Sequence, residues 1–347
     1  MTPERLAFLI DKFSSQHIVV IGDFFLDKYL EVDPALAEPS IETGKTAHQV
    51  VKIRHSPGGA GNVVSNLSAL GTGLVHTIGI IGDDGEGYEL RRDLEKLGCN
   101  ISGLYMAPDH VTPTYLKPRD KSVPGLAGEH NRYDTKNRTH TGPEIVKCMI
   151  SKLDSLLPDV DAVIIIDQVV EDDCGVVTST MRKVLADRAI QYPKVIFWAD
   201  SRAHIRLFRN VIIKSNQFEA VGIKSPYLGY TVNEAELWES VVKLRAEVNS
   251  PVFVTRGASG MIVSDPEPTA IRGVRVEGPI DITGAGDSVS AGAVLTLACG
   301  TTLPEAALIG NLVASITIQQ LDTTGTARQE QLPPRLELWH AQEGENN

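Results

Sequence analysis

Strand-like apolar runs alternate with helical segments along most of the chain, and this alternation restricts the possible folds more than any other feature. The predicted strands cover residues 17–21, 74–81, 162–166, 195–199, 211–214 and 252–255. The predicted helices cover residues 59–70, 86–97, 176–189, 232–248, 285–298 and 303–319. Because repeated strand-helix-strand units build parallel sheets with helices on both faces, the sequence predicts an α/β protein with a doubly wound, mostly parallel sheet.

Two stretches interrupt this alternation with short β-like pieces. The first covers residues 27–55 and contains Pro34 and Pro39, and the second combines residues 112–119 with residues 129–134. We expect these pieces to pair into a small β-sheet lid that is inserted into the main sheet at two points. The sequence therefore predicts one domain over residues 1–347, with lid segments at approximately 28–55 and 111–134.

Composition and charge exclude several classes of protein. Of the 347 residues 42% are apolar and 22% are charged, which indicates a globular chain. The net charge of −11 argues against a large basic surface for nucleic acid, so no nucleic-acid partner is expected. The 4 cysteines show no C-x-x-C spacing, the N-terminal segment is charged, and no apolar run is long enough to span a membrane. We expect a reduced, cytoplasmic protein without a membrane partner.

Residues 281–287 (DITGAGD) precede an apolar helix and carry the most chemical information. Small residues at a helix start leave backbone N–H groups free to converge on an anion, and the helix dipole assists them. Asp287 falls in the first turn, where a carboxylate can take a proton from an attacking hydroxyl. A Gly-rich turn in which Asp287 only complements the helix dipole is the alternative that this segment leaves open.

A second glycine cluster, residues 58–62 (GGAGN), also opens a predicted helix. Its bare backbone allows a polyhydroxylated ligand to approach closely, and Asn62 supplies an amide donor and acceptor. Upstream, the first strand ends in Gly22 and Asp23, at the edge of the sheet where ligands of α/β proteins bind. A tight turn for the glycines and a cap for Asp23 are the alternatives.

Together these motifs resemble the PfkB, or ribokinase-like, family of carbohydrate kinases over nearly the whole chain. The family's N-terminal signature is similar to residues 58–62 continuing to Leu70 and Gly71, and its C-terminal D-T-x-G-A-G-D signature is similar to residues 281–287. Ile282 stands where the family often has Thr. The resemblance implies transfer of a phosphoryl group from ATP, with Mg²⁺, to a sugar hydroxyl.

The resemblance also implies roles for individual residues. It makes Asp287 the general base and the amides of Gly284, Ala285 and Gly286 the anion hole. It makes Asp23, Asp27, Gly58, Gly59 and Asn62 the sugar-binding residues. It assigns Thr255, Arg256, Gly257, Gly260 and Asn311 to the nucleotide, with Arg256 also offering charge to phosphate. It assigns Asn216 and Glu219, in an N-x-x-E motif, to Mg²⁺, mainly through water.

Residues 21–29 (IGDFFLDKY) are most similar to the heptose-phosphate kinase branch, in which Asp27 and Tyr29 belong to the opening motif. Bifunctional members carry a nucleotidyltransferase with an H-x-G-H motif, which is not found here, so we expect a kinase alone. A substrate phosphate has candidate partners in the basic residues of the lid, which are Lys45, Lys52, Arg54, Lys117, Arg119 and Arg132. A heptose 7-phosphate is the predicted substrate, and another sugar, sugar phosphate or nucleoside is the alternative.

Other functions fit the sequence less well. Residues 286–289 (GDSV) superficially resemble a GDS-type hydrolase nucleophile, but the late D-x-x-H pairing of that class is missing. The glycine cluster lacks the third glycine of a dinucleotide-binding fingerprint. A sugar or nucleotide sensor that has lost turnover would not need Asp287. Because the lid strands would leave apolar surface and open edges exposed, we also expect a homodimer formed through the lid.

Overall fold

The computed structural model describes residues 1–123, 125–224, 226–227, 229–321 and 323–344, with residues 125 and 126 described by their backbone alone. The strands are β1 His17–Gly22, β2 Phe24–Pro39, β3 Thr46–Gly59, β4 Leu74–Gly82, β5 Asn100–Ala107, β6 Thr114–Asp120, β7 Tyr133–Thr135, β8 Ala162–Asp167, β9 Ile196–Ser201, β10 Ile212–Asn216, β11 Val252–Thr255, β12 Met261–Val263 and β13 Thr269–Ile271. The α-helices are α1 Pro3–Phe13, α2 Ala60–Ala69, α3 Gly85–Lys96, α4 Pro143–Leu156, α5 Ser179–Gln191, α6 Gln217–Ala220, α7 Glu234–Val248, α8 Ala285–Ala298, α9 Leu303–Thr317 and α10 Leu332–Gly344.

The large sheet contains, among the described residues, nine strands in the order β13-β12-β11-β10-β9-β8-β1-β4-β5. Its strands from β5 to β11 run parallel, and β12 and β13 add an antiparallel edge. A buried hydrophobic cluster lies on each face, one containing Trp198 and Phe253 and the other containing Phe197 and Phe208. The predicted doubly wound, mostly parallel sheet is therefore confirmed.

The small sheet has, within the described part of the chain, four strands in the order β3-β2-β6-β7. Strand β2 pairs antiparallel with β3 and parallel with β6, and β7 is antiparallel to β6. This sheet is the smaller β element that the sequence predicts beside the main sheet. Its first hairpin begins at Phe24 and returns at Gly59, so it is longer than the predicted segment at 28–55.

Several predicted bounds are wrong for local reasons. The helix predicted at 176–189 begins instead at Ser179, because the side chain of Thr178 caps it by accepting a hydrogen bond from the Met181 N–H at 3.2 Å. The strand predicted at 129–134 is reduced to Tyr133–Thr135 and one isolated bridge at Glu129. The strand predicted at 211–214 runs on to Asn216, since β11 continues to pair with it.

The first link between the two sheets is a single residue. Strand β1 ends at Gly22 and β2 begins at Phe24, so Asp23 alone separates them. Its N–H donates to Ile166 O at 3.0 Å, and its carbonyl accepts from the Ala60 N–H at 2.9 Å, where the chain returns from β3 into α2. The two crossings between the sheets at residues 22–24 and 59–60 therefore meet at the carboxyl ends of β1 and β8.

The first and last helices of the described chain, α1 and α10, pack against each other. Helix α10 packs against α9 and α1, burying Leu332 and Leu336. The Arg5 guanidinium of α1 contacts the Glu305 carboxylate of α9 at 2.9 Å. In the ranges described above, no helix combines the length and the apolar character that crossing a membrane requires.

Candidate active site

Asp287 lies in the first turn of α8, close to Asn62 of α2 and to the charge of Asp27 on β2. The preceding Gly284 has φ +77°, a left-handed conformation that favours glycine, and a Cβ there would lie 2.5 Å from Thr324 Cγ2. The Asn62 Nδ2 donates to Asp287 Oδ2 at 2.9 Å. The two glycine motifs, 225 residues apart in the chain, therefore meet in one site.

The Asp287 carboxylate is held in an environment that favours its protonated form. Burial, followed by the nearby charge of Asp200, raises the pKa of Asp287 to about 7. The hydrogen bond from Asn62 and the positive charge of Lys214 oppose that rise in pKa. A carboxyl group with a pKa near neutrality is suited to accept a proton from a hydroxyl at physiological pH.

Lys214 is a buried cation beside the backbone of the 284–286 turn, and sequence analysis did not identify it. It forms an ion pair with Asp200 at the ends of β9 and β10, and a Cβ on Gly286 would lie 2.8 Å from its Nζ. Burial alone would lower the pKa of Lys214, but Asp200, Asp287 and Glu219 raise it. The Lys214 ammonium group therefore places a positive charge next to any anion that the turn binds. A lysine within the otherwise apolar first part of β10 is the signal of it that the sequence offers.

The side chain of Asp23 is engaged with backbone groups of its own fold. Its carboxylate accepts hydrogen bonds from the N–H groups of Gln168 at 2.7 Å, Val169 at 3.1 Å and Val176 at 2.8 Å. Burial, and then Asp167, raise the pKa of Asp23 to about 6, although those N–H groups oppose the rise. The carboxylate therefore anchors residues 168–176, and its predicted contact with sugar hydroxyls stays a prediction.

Asp27, four residues further along, faces the cleft from β2. A Cβ on Gly58 would lie 3.1 Å from Asp27 Oδ2, so glycine at this position leaves the carboxylate uncrowded. The Lys117 Nζ from β6 lies 3.0 Å from Asp27 Oδ1 and donates to Tyr29 Oη at 3.4 Å. Burial raises the pKa of Asp27 while Lys117 opposes the rise. The small sheet therefore presents a buried ion pair to the site, whereas the sequence suggested Asp27 for the sugar and Lys117 for a substrate phosphate.

Gly59 supports the same region through its backbone. Its φ is +56°, and a Cβ there would lie 2.4 Å from the carbonyl oxygen of Asp23. Any side chain at this position would push apart the two crossings between the sheets. Gly59 thus shapes the site without presenting a functional group to it.

A cleft of about 450 Å³ lies on the other side of the 284–286 turn. Thr255, Gly257, Gly260, Ala285, Gly286 and Asn311 are among the residues that line it. The Asn311 Nδ2 donates to the carbonyl oxygens of Ile271 and Arg272 at 3.2 and 3.0 Å, so this helical asparagine braces one wall. Most of the predicted nucleotide-binding residues therefore surround one cavity, which opens towards the predicted anion hole.

Arg256 is directed elsewhere. Its guanidinium lies 3.6 Å from the Glu234 carboxylate and donates to Ser259 O at 3.2 Å. It is not among the described residues that line the cleft. In this structure Arg256 therefore forms an ion pair with α7, and its predicted contact with phosphate stays a prediction.

Asn216 and Glu219 form a capping box on the short helix α6. Asn216 Oδ1 accepts from the N–H groups of Phe218 and Glu219, each at 2.9 Å, and Glu219 Oε2 accepts from the Asn216 N–H at 2.8 Å. Burial, with Asp200 adding to it, raises the pKa of Glu219. Among the described side chains, no cluster of three or more His, Cys, Asp or Glu is placed to hold a metal ion. The arrangement fits a divalent cation that keeps waters and phosphate oxygens as its main ligands.

Ser288, the nucleophile of the hydrolase alternative, is inaccessible. Its residue is fully buried, and its Oγ donates to the carbonyl oxygen of Gly284 or Ala285 and bonds Thr317 Oγ1 at 2.9 Å. A hydroxyl committed to the interior of its own helix cannot attack a substrate ester. The geometry therefore removes the hydrolase interpretation.

A buried carboxylate at a glycine-rich helix start, beside a cleft at the ends of parallel strands, is the arrangement expected of a phosphotransferase that acts on a sugar hydroxyl. Residues 15–330 match the family model described as pfkB family carbohydrate kinase. The chain belongs to this family, and it is a carbohydrate kinase.

Curated relatives and solved structures agree with this assignment. The chain is 27% identical over 341 residues to the bifunctional protein HldE of Desulfatibacillum aliphaticivorans, covering 95% of this chain and 65% of that protein. It is 29% identical over 346 residues to the bifunctional protein HldE of Shewanella sp. (strain ANA-3), covering 96% and 66%. The chain thus spans about two thirds of the length of the curated relatives it matches.

Solved structures share the fold at lower identity. Phosphofructokinase-2 from Escherichia coli in complex with potassium superposes with a TM-score of 0.69 at 16% identity, covering 93% of this chain and 99% of that one. Ribokinase from Cryptococcus neoformans in complex with ADP gives a TM-score of 0.63 at 18% identity, covering 94% and 99%. These matches confirm the ribokinase-like fold that the sequence predicted.

Proposed function

We propose that this chain transfers the γ-phosphoryl group of ATP to a hydroxyl of a sugar that already carries a phosphate, and that the sugar is a heptose 7-phosphate. The position of Asp287 is the observation that supports the transfer. It lies between the proposed sugar-binding residues Asn62 and Asp27 on one side and the 284–286 turn, which borders the cleft, on the other. Its raised pKa and its place at the start of α8 support the role of general base.

In this proposal the acceptor hydroxyl hydrogen-bonds to Asp287 and passes its proton to the carboxylate as the oxygen attacks phosphorus. Asn62 orients the carboxylate, and Asp27 holds further hydroxyls of the sugar. The γ-phosphoryl group gains the new oxygen bond as its bond to ADP breaks. Catalysis of this kind depends mainly on positioning and on charge stabilisation, for which the chain supplies fixed groups.

The triphosphate would lie along the 284–286 turn, with its negative charge against Lys214 and the backbone N–H groups at the start of α8. Thr255, Gly257, Gly260 and Asn311 would surround the nucleoside in the adjoining cleft. Mg²⁺, when bound with ATP, supplies neutralisation of phosphate charge. Asn216 and Glu219 would orient its waters, and the surplus of carboxylates around Lys214 suits the arrival of a cation.

Cations around Tyr115 support a phosphorylated substrate. The Arg132 guanidinium lies 4.3 Å from the centroid of the Tyr115 ring, the Lys117 Nζ lies 6.0 Å from it, and Arg202 hydrogen-bonds to Tyr115. Arg132 and Lys117 are already paired with Asp134 and Asp27. Arg202, which sequence analysis missed, is therefore our principal candidate for the substrate phosphate. The resemblance of residues 21–29 to the heptose-phosphate kinases points to the heptose.

The test compares free and phosphorylated heptoses, hexoses, pentoses and nucleosides as acceptors, with ATP and Mg²⁺. We expect the highest kcat/KM with heptose 7-phosphate, and a higher KM for it in Arg202→Ala. The unphosphorylated sugar should show no such change in KM, and Arg209→Ala serves as a matched surface control. Equal turnover of free and phosphorylated sugars would remove the phosphate from the proposal, and preference for a nucleoside or another sugar phosphate would replace the heptose.

We further propose that the chain acts in the cytoplasm as a homodimer joined through the small sheet. The supporting surface lies on the β2–β3 hairpin, where Leu36, Ile41, Val50, Val51 and Ile53 are exposed. Such a patch on an open sheet is suited to a second copy of the same sheet. Sedimentation equilibrium should give twice the monomer mass, and Ile53→Lys should halve it. A monomeric mass for the unaltered protein at micromolar concentration would refute the dimer.

A further inference from the structure

The outer wall of the nucleotide cleft is formed by a segment that lies outside the strands of the large sheet. Residues 272–276 follow the edge strand β13 and include Gly273, Val274, Arg275 and Val276, all of which line the cleft. A Cβ on Gly273 would lie 2.7 Å from Ala258 O, so this segment packs directly on the 257–260 turn. A small displacement of the segment would change the shape of the cleft.

Helix α10 holds this segment from the side facing away from the cleft. Gln342 Oε1 accepts from the Arg275 N–H at 3.0 Å, and Gln342 Nε2 donates to Arg275 O at 2.9 Å. One amide side chain thus takes both backbone groups of Arg275, as a neighbouring strand would. Edge backbone that lacks such partners is prone to local opening.

Two further contacts place Arg272 between α9 and α10. Its carbonyl oxygen accepts from Trp339 Nε1 at 3.1 Å on the α10 side and from Asn311 Nδ2 at 3.0 Å on the α9 side. Its guanidinium lies 3.2 Å from the Glu343 carboxylate. Helix α10 therefore contacts both ends of the wall, whereas the family model ends at residue 330, before α10 begins.

We infer that Gln342 and Trp339 are positioning residues for the nucleotide, and that α10 sets the affinity of the cleft for ATP. This inference rests on the proposed use of the cleft by ATP. Helix α10 does not reach the sugar-facing groups Asp27 and Asn62, so its effect should be confined to the nucleotide. Weakening its hold should raise the dissociation constant of ATP and leave the affinity for sugar and the chemical step unchanged.

The experiment measures ATP binding by calorimetry and steady-state kinetics for Gln342→Ala, Trp339→Phe and the control Glu337→Ala, an exposed position on the same helix. Loss of both bonds of Gln342 should raise the dissociation constant and the KM for ATP roughly five- to twentyfold. Trp339→Phe keeps an aromatic ring but removes one donor, and should raise both about threefold. The KM for sugar, kcat and the melting temperature should match those of Glu337→Ala.

Three outcomes would overturn the inference. ATP affinity in Gln342→Ala equal to that of Glu337→Ala would show that α10 does not act on the cleft. An equal rise in the KM values for sugar and ATP, with a lower melting temperature, would show a general structural role. Failure of the unaltered protein to bind ATP would refute the proposed function itself, and this result is distinct from the first two because it appears before any substitution is made.

Discussion

The Asn62 amide contacts the Asp287 carboxylate at 2.9 Å, and it joins the start of α2 to the start of α8. One helix follows the chain's return from the small sheet, and the other carries the proposed general base. The contact therefore joins the proposed sugar-binding and phosphate-binding halves of the site. Its donor favours the ionised carboxylate, in opposition to burial and to Asp200.

Asp287→Asn tests the general base. The amide is isosteric but cannot accept the hydroxyl proton, so kcat should fall by about 10²–10⁴ while calorimetry shows sugar and ATP binding retained. Asp172→Asn, on an aspartate whose side chain is 85% exposed, should retain kcat and serves as the control. Normal turnover in Asp287→Asn would mean that another group takes the proton.

Asn62→Ala tests the electrostatic coupling. The pKa of Asp287 is about 7, so kcat should decline as the pH falls through that value and the carboxylate becomes protonated. Removing the Asn62 donor raises this pKa further, so the acidic limb of the kcat profile should move to higher pH. Ser65→Ala lies on the same helix, where its hydroxyl bonds only the helix backbone at Gly61 O, and it should leave the limb in place. An unmoved limb in Asn62→Ala would contradict the coupling.

Lys117→Met tests the buried ion pair of the small sheet. Removing the ammonium leaves the buried Asp27 carboxylate without its partner, which typically costs about 3–5 kcal/mol of unfolding free energy. Lys121→Met is the matched control, because Lys121 pairs with Asp33 with its own side chain 45% exposed, and its loss should cost ~1 kcal/mol or less. Urea denaturation at neutral pH measures the unfolding free energy of both variants. Equal decreases would show that the buried Lys117–Asp27 pair stabilises the fold no more than the exposed pair does.

Asp23→Asn and Asp27→Asn separate an anchoring carboxylate from a sugar-facing one. In Asp23→Asn an NH₂ group replaces an acceptor of backbone N–H groups, so unfolding free energy should fall by on the order of 1–3 kcal/mol. Amide exchange should also accelerate in residues 168–176. Asp27→Asn should instead raise the KM for sugar and leave exchange in that segment unchanged. The reverse pattern would return the sugar-binding role to Asp23.

The parts of the site that lie in one continuous motif were predictable from the sequence. Gly284, Ala285, Gly286 and Asp287 follow from a helix start, because a turn of small residues before an apolar run dictates its own local backbone. The alternation of strands and helices likewise determined the sheet, since each element carries its own apolar pattern.

Contacts between distant strands were not predictable in the same way. Lys214 contacts Asp200, and Lys117 contacts Asp27, because the register of the neighbouring strands places these residues close to each other. Nothing in the local sequence distinguishes these lysines from solvated ones. The different fates of Asp23 and Asp27 depend equally on tertiary structure, since residues 168–176 supply the N–H groups that engage only the first.

The link at Asp23 is the shortest strand-to-strand connection between the two sheets in the described chain, and it limits how they can move relative to each other. Strand β1 leads directly into Asp23, and the hydrogen bonds of the Asp23 carboxylate keep this pivot attached to residues 168–176. Any rotation of the small sheet about that pivot swings Asp27 and Lys117 through an arc while the proposed proton acceptor stays still. The angle between the two sheets would thereby set the distance between a sugar held by Asp27 and the proposed base. Rotation of the small sheet towards the large one would then align the acceptor hydroxyl with Asp287.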